Sequence, residues 1–130
     1  MTLQATALYG ALLGLIGVIL AGMVGRARSA AKISLGEGSD PRLLEAIRRH
    51  MNFVENVPLA LILLAAVEIN GGGRTWVHVL GGALLVARII HPFGISVDKA
   101  NTWQRGAGAG LTLLMLIACC LTLLKQALWG

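Results

Sequence analysis

Two stretches without a single charged side chain, Met1–Gly25 and Gly106–Leu124, constrain this chain more than anything else in it. Each is long enough to cross the ~30 Å hydrocarbon core of a bilayer as a helix. In lipid every backbone N–H and C=O must find its partner within the protein, which leaves helices and closed barrels as spanning structures. The runs are continuous, rich in Leu and Ala, and show no sustained polar/apolar alternation, so helices are predicted and barrel strands are not. Two further apolar stretches fit the same reading: Met51–Val67, whose only charge is Glu55, and Thr75–Ile95, interrupted by Arg88. With 56% hydrophobic and 13% charged residues the composition is that of a membrane protein. The predicted fold is an all-α membrane protein, a single four-transmembrane-helix bundle with helices near 2–28, 41–69, 74–94 and 99–127. Arg26 and Arg28 follow the first run rather than precede it, so that run is read as a retained helix and not as a signal peptide.

The basic residues orient the bundle. Nine of the eleven (Arg26, Arg28, Lys32, Arg42, Arg48, Arg49, Arg88, Lys99 and Arg105) fall around the first and third connections, and only Arg74 and Lys125 fall on the other side. The positive-inside rule then predicts both termini outside and the basic connections in the cytoplasm. Basic residues at helix ends are explained by topology and lipid headgroups, so nucleic acid is not expected as a partner. Cys119 and Cys120 are adjacent and lack metal-ligand spacing; they read as small apolar fillers, and no metal site is expected. Gly10 and Gly14 form a small-xxx-small pair of the kind that permits close helix approach.

Within the second helix lies the run Arg48-Arg-His-Met-Asn-Phe-Val-Glu-Asn-Val-Pro58. Arg48, Asn52 and Glu55 are spaced i, i+4, i+7 and fall within ~60° of one another on a helix. They share one face. Ionisable groups at membrane depth cost at least ~2.5–3.5 kcal/mol each on insertion scales, so they persist where they pair, face a bundle interior or bind a ligand. Asp40 followed by Pro41 is a helix start, and Glu45 can pair with Arg48 or Arg49 one turn on. Arg88 and His91 are spaced i, i+3 near the end of the third helix. Asp98 or Thr102 is expected to cap the fourth, placing Arg105 in its first turns at the positive end of the dipole. A cation there is offset by a bound anion. The gathered surplus of cations with one carboxylate and one amide suits an anionic, peptide-like ligand that also carries a positive group.

The run Arg48-x-His50-x-Asn52-x-x-Glu55-x-x-Pro58 resembles the second-helix signature of the MAPEG family, membrane-associated proteins in eicosanoid and glutathione metabolism. The four-helix plan, the Gly36-Glu37-Gly38 loop, the Arg88-x-x-His91 element and Arg105 agree with it, and the chain resembles a compact bacterial-type member, expected in the inner membrane. The resemblance implies a homotrimer with glutathione as co-substrate, bound between neighbouring subunits and open to the cytoplasm. It implies that Arg48, Asn52, Glu55 and His91 bind the glutathione peptide, that Arg105 stands beside the sulfur as the catalytic residue, and that Arg28 reaches a glutathione carboxylate from the neighbouring subunit. Arg26, His50 and Arg88 are secondary candidates, Arg88 reading equally well as a structural ion-pair partner of Glu55 or of a neighbour. Ile95 stands near where several members carry a tyrosine. The implied activity is glutathione transfer to small lipophilic electrophiles arriving from the membrane lipid, with lipid hydroperoxide reduction as an extension. The alternative is a non-catalytic lipid-binding or scaffold protein of the same fold.

Overall fold

The helix that carries most of the polar side chains begins as its first residues dictate. The side chain of Asp40 accepts a 2.9 Å hydrogen bond from the backbone N–H of Leu43, and Pro41 occupies the first helical position, where its missing N–H costs nothing. The computed structural model describes residues 2–130 and comprises α1 (Gln4–Ala31), α2 (Pro41–Ile69), α3 (Arg74–Ile90), a 3-10 turn (His91–Gly94) and α4 (Trp103–Trp129). All four helices are long and apolar enough to cross a membrane. The chain is an all-α, multi-pass integral membrane protein.

Packing follows from where the small and branched residues fall. Phe53, Val57, Ala60, Leu64 and Val67 make a buried seam along α2, met by Leu13 and Leu20 of α1, Val77, Leu80 and Leu84 of α3, and Met115 and Cys119 of α4. The outside of the bundle is apolar as well: Leu15, Val18, Leu114 and Leu121 are each more than 60% exposed, as suits a surface solvated by lipid tails. The Gly10/Gly14 pair takes no part in packing within the chain, since a Cβ at either position would meet nothing within 4 Å. Other glycines set the spacing. Gly17 lies under the ring of Phe53, Gly81 under that of Tyr9, and Gly108 faces the Cβ of His91 and the carbonyl of Ala87, 2.9 Å from where a Cβ would stand. Gly108→Val is therefore expected to push α4 off α3 and to lower stability by about 1–3 kcal/mol, read as a lower thermal midpoint in detergent.

Two helix ends stand four residues from the sequence expectation, farther than any other end. The α-helix of α3 stops at Ile90, because Pro92 cannot donate and the chain tightens into the 3-10 turn. Thr102, not Asp98, caps α4, so that helix begins at Trp103 rather than near residue 99. At the end opposite the basic loops, Glu68 accepts hydrogen bonds from the backbone N–H of Ala5 and from both the N–H and the hydroxyl of Thr6, taking up donors that the first turn of α1 leaves free. Tyr9 donates to the carbonyl of His78, Trp76 to the hydroxyl of Thr122, and Gln126 to the carbonyl of Val67. These contacts cross between helices, and all lie at that end.

Candidate functional site

At the basic end a cavity of about 410 Å³ opens between α2, the 3-10 turn and α4. Arg48, Asn52, Glu55, His91 and Arg105 all line it. The first three come from one face of α2, one and two turns apart. His91 and Arg105 are brought beside them by the tight junction of α3 and α4: the hydroxyl of Thr102 donates to the carbonyl of Gly94 at 2.7 Å and accepts from the N–H of Arg105, and Gly108 lets α4 lie against His91. Losing this junction is testable. Thr102→Ala is expected to cost about 1 kcal/mol, with amide exchange rising first at the start of α4.

The electrostatics are one-sided. Glu55 is exposed and makes no hydrogen bond or ion pair among the described residues. Arg48 is likewise exposed and unpaired among them, and one arm of Arg105 donates to the carbonyl of Ala100 at 3.1 Å, leaving the rest of its guanidinium unengaged. Arg88 forms an ion pair neither with Glu55 nor with any other carboxylate among the described residues. Arg88 is 2% exposed and donates instead to the side-chain oxygen of Asn52 at 2.8 Å, because Glu55 points out of the bundle while Asn52 turns toward α3. That bond fixes the Asn52 amide with its oxygen occupied, so its NH₂ remains to donate into the cavity. The amide of the next asparagine, Asn56, is spent on the carbonyl of Asn52.

The remaining lining was not legible from helix spacing. Glu45 pairs with Arg49 at 3.6 Å, as the i, i+4 spacing allows, but it also accepts the N–H of Val97 at 2.8 Å, while Arg49 donates to the carbonyl of Ile95 at 2.9 Å. The pair clasps the segment Ile95–Ser96–Val97, which forms one cavity wall together with Leu44 and Met51 on α2. Ile95 gives that wall an apolar side chain where a tyrosine would bring a hydroxyl. His50 is half-buried on α2 and does not line the cavity. Nor does anything on α1: Arg26 is exposed at its end, and Arg28 donates to the carbonyl of Gly36 at 2.7 Å, securing the loop that follows its own helix.

A shape of this kind accepts an extended ligand with separated charges. Glu55 offers an acceptor for an ammonium, Arg48 a fork for a carboxylate, Asn52 a donor for a carbonyl, and Arg105 a fixed cation at the start of a helix, all within one cleft. Comparison with known proteins agrees with the sequence pattern. A family model described as the MAPEG family matches residues 6–125. The chain is 34% identical over 119 residues to Inner membrane protein YecN of Escherichia coli K12, a match spanning 88% of this chain and 89% of that protein, and equally to the YecN of Escherichia coli O6:H1. No solved structure matches it.

Proposed function

The chain belongs to the MAPEG family, and from that membership we propose that it is a membrane-bound glutathione transferase. The observation that carries the proposal is the convergence of Arg48, Asn52, Glu55, His91 and Arg105 on a single cavity at one end of a membrane bundle. Glutathione has the matching groups: an ammonium for Glu55, carboxylates for Arg48, amides for Asn52 and a thiol for Arg105.

A free thiol has a pKa near 8.5, and its thiolate is the nucleophile. A guanidinium cannot take the proton, but it stabilises the anion that remains when the proton leaves to solvent. The first turn of α4 holds no acidic residue, so its exposed N–H groups add to the same field. The thiolate then attacks an electrophilic carbon presented from the bilayer: in an aryl halide the S–C bond forms and the halide leaves with the electron pair, in an epoxide the C–O bond breaks and the alkoxide takes a proton from solvent, and in an unsaturated carbonyl the C=C pair moves to an enolate that is then protonated. Holding both reactants in one cleft supplies part of the remaining acceleration. Lipid hydroperoxides are a second class of acceptor: the thiolate attacks the terminal oxygen, the O–O bond breaks with the alkoxide leaving as the lipid alcohol, and the sulfenic acid formed condenses with a second glutathione to give the disulfide and water.

The proposal includes the assembly and its orientation. The cavity is walled by α2, the 3-10 turn with the segment after it, and α4, and it is open where α1 contributes nothing. In a homotrimer the Arg28 of a neighbouring copy closes that side and meets a glutathione carboxylate, with Arg26 beside it. The concentration of basic residues at this end directs the cavity to the cytoplasm.

Adding glutathione to the purified protein is the direct test. A rise in absorbance near 240 nm reports thiolate, and turnover of aryl halides, epoxides, unsaturated carbonyls or lipid hydroperoxides names the acceptor. A flat signal together with no turnover across that panel overturns the proposal and leaves a lipid-binding or scaffold protein.

A further inference from the structure

A second concavity lies on the other side of Arg88. Between α1 and α3 a groove of about 310 Å³ is walled by Ile16, Ile19 and Met23 on one side and Ile89 and Phe93 on the other, with Arg49 and Arg88 at its base. Ile19 is 62% exposed and Phe93 77% exposed, so the groove opens to the bilayer. Both arginines have a donor left over. Arg88 spends one arm on Asn52 and Arg49 one arm on Ile95, yet the Nε–H of each is buried without a hydrogen-bond partner. Buried donors are almost always satisfied, and a guanidinium does not shed its proton to escape the cost. Among the described residues no carboxylate lines the groove, and Glu45, the ion-pair partner of Arg49, is already shared with the N–H of Val97.

We propose that this groove binds an anionic phospholipid of the leaflet at the basic end, one acyl chain lying between α1 and α3 and the phosphodiester accepting from Arg49 and Arg88. A phosphate diester has one full charge and two free oxygens, which match two donors from separate guanidinium groups. Basic pockets between transmembrane helices recognise headgroups in this way. The apolar walls and the lipid-facing opening suit a chain that never leaves the membrane. The inference goes beyond the glutathione reading and does not depend on it.

The protein is reconstituted in nanodiscs of phosphatidylcholine and phosphatidylglycerol in equal amounts, released gently, and the lipids that remain bound are identified by native mass spectrometry. Phosphatidylglycerol is expected to be retained in about tenfold excess over phosphatidylcholine, and the excess to vanish in Arg49→Met/Arg88→Met. Since Arg88 also holds Asn52, a second variant guards against simple misfolding: Ile19→Trp fills the chain groove, leaves both arginines in place and is expected to lose the same preference. Equal retention of the two lipids, or a preference unmoved by either variant, overturns the proposal. So does a photoreactive residue at Phe93 that crosslinks to a second copy of the chain instead of lipid. Displacement of phosphatidylglycerol by equimolar oleate also overturns it, because a free carboxylate would then be the better occupant.

Discussion

Arg105→Ala is expected to lower kcat/KM for glutathione conjugation at pH 7 by about 30- to 100-fold and to abolish the 240 nm signal of bound thiolate. The magnitude comes from two effects. Lowering a thiol pKa from about 8.5 to about 6.5 raises the thiolate fraction at pH 7 from about 3% to about 75%, which corresponds to ~2.7 kcal/mol of preferential stabilisation. Part of that gain is returned, since a less basic thiolate is a weaker nucleophile. The rest of the expected loss, about three- to tenfold, comes from positioning, a fraction of the 10²–10³ that removing a donor aimed at a developing anion costs in well-studied cases. The two contributions separate with pH. Above about pH 8.5 glutathione ionises unaided, so the deficit of Arg105→Ala should shrink as pH rises toward 9. A deficit that stays constant would mean that Arg105 acts through the loop it holds at Ala100 and not on the sulfur.

Glu55→Ala is expected to weaken glutathione binding by about 10- to 30-fold in calorimetry, and Arg49→Ala to weaken it by much less. Glu55 lines the cavity and makes no hydrogen bond or ion pair among the described residues, so its loss removes the acceptor for the ligand ammonium and breaks no other polar contact. Arg49 does not line the cavity; it acts at one remove, through the carbonyl of Ile95. A double-mutant cycle on the ligand sharpens the test. Glutathione lacking its α-amino group should bind wild-type protein about as poorly as glutathione binds Glu55→Ala, and the two losses should not add. Full additivity would assign the ammonium elsewhere.

What was legible in the sequence is what depends on local spacing. Apolar runs, two of them without any charge, fix the four spans, and the i, i+4, i+7 pattern puts Arg48, Asn52 and Glu55 on one face of α2 without any knowledge of its neighbours. The start of α2 was equally readable from Asp40 and Pro41. Contacts between distant parts of the chain were not. Arg88 to Asn52, Glu45 to Val97 and Glu68 to Thr6 join residues separated by 36, 52 and 62 positions, and no local pattern says which of several polar side chains an arginine will find. Arg88 illustrates the difficulty: charge complementarity favours Glu55, but a carboxylate can turn outward to face solvent or ligand, while a buried guanidinium takes the neutral oxygen that the helix packing leaves nearby. His91 and Arg105 fall between the two cases. Each was placed near a helix end by Pro92 and by capping residues, and their meeting depends on Gly108 allowing α3 and α4 to touch.

The first helix is fastened very unevenly. Near its start Glu68 and the Tyr9–His78 contact pin it to α2 and α3; past Leu20, among the described residues, it buries no side chain, and the only side-chain hydrogen bonds of that half are those of Arg28 to its own following loop. It is a rod anchored at one membrane face and lightly held at the other. Leu13 and Leu20 still hold the middle of this rod in the bundle, so only the stretch beyond them is placed more by what Arg26 and Arg28 touch than by side chains packed beneath it.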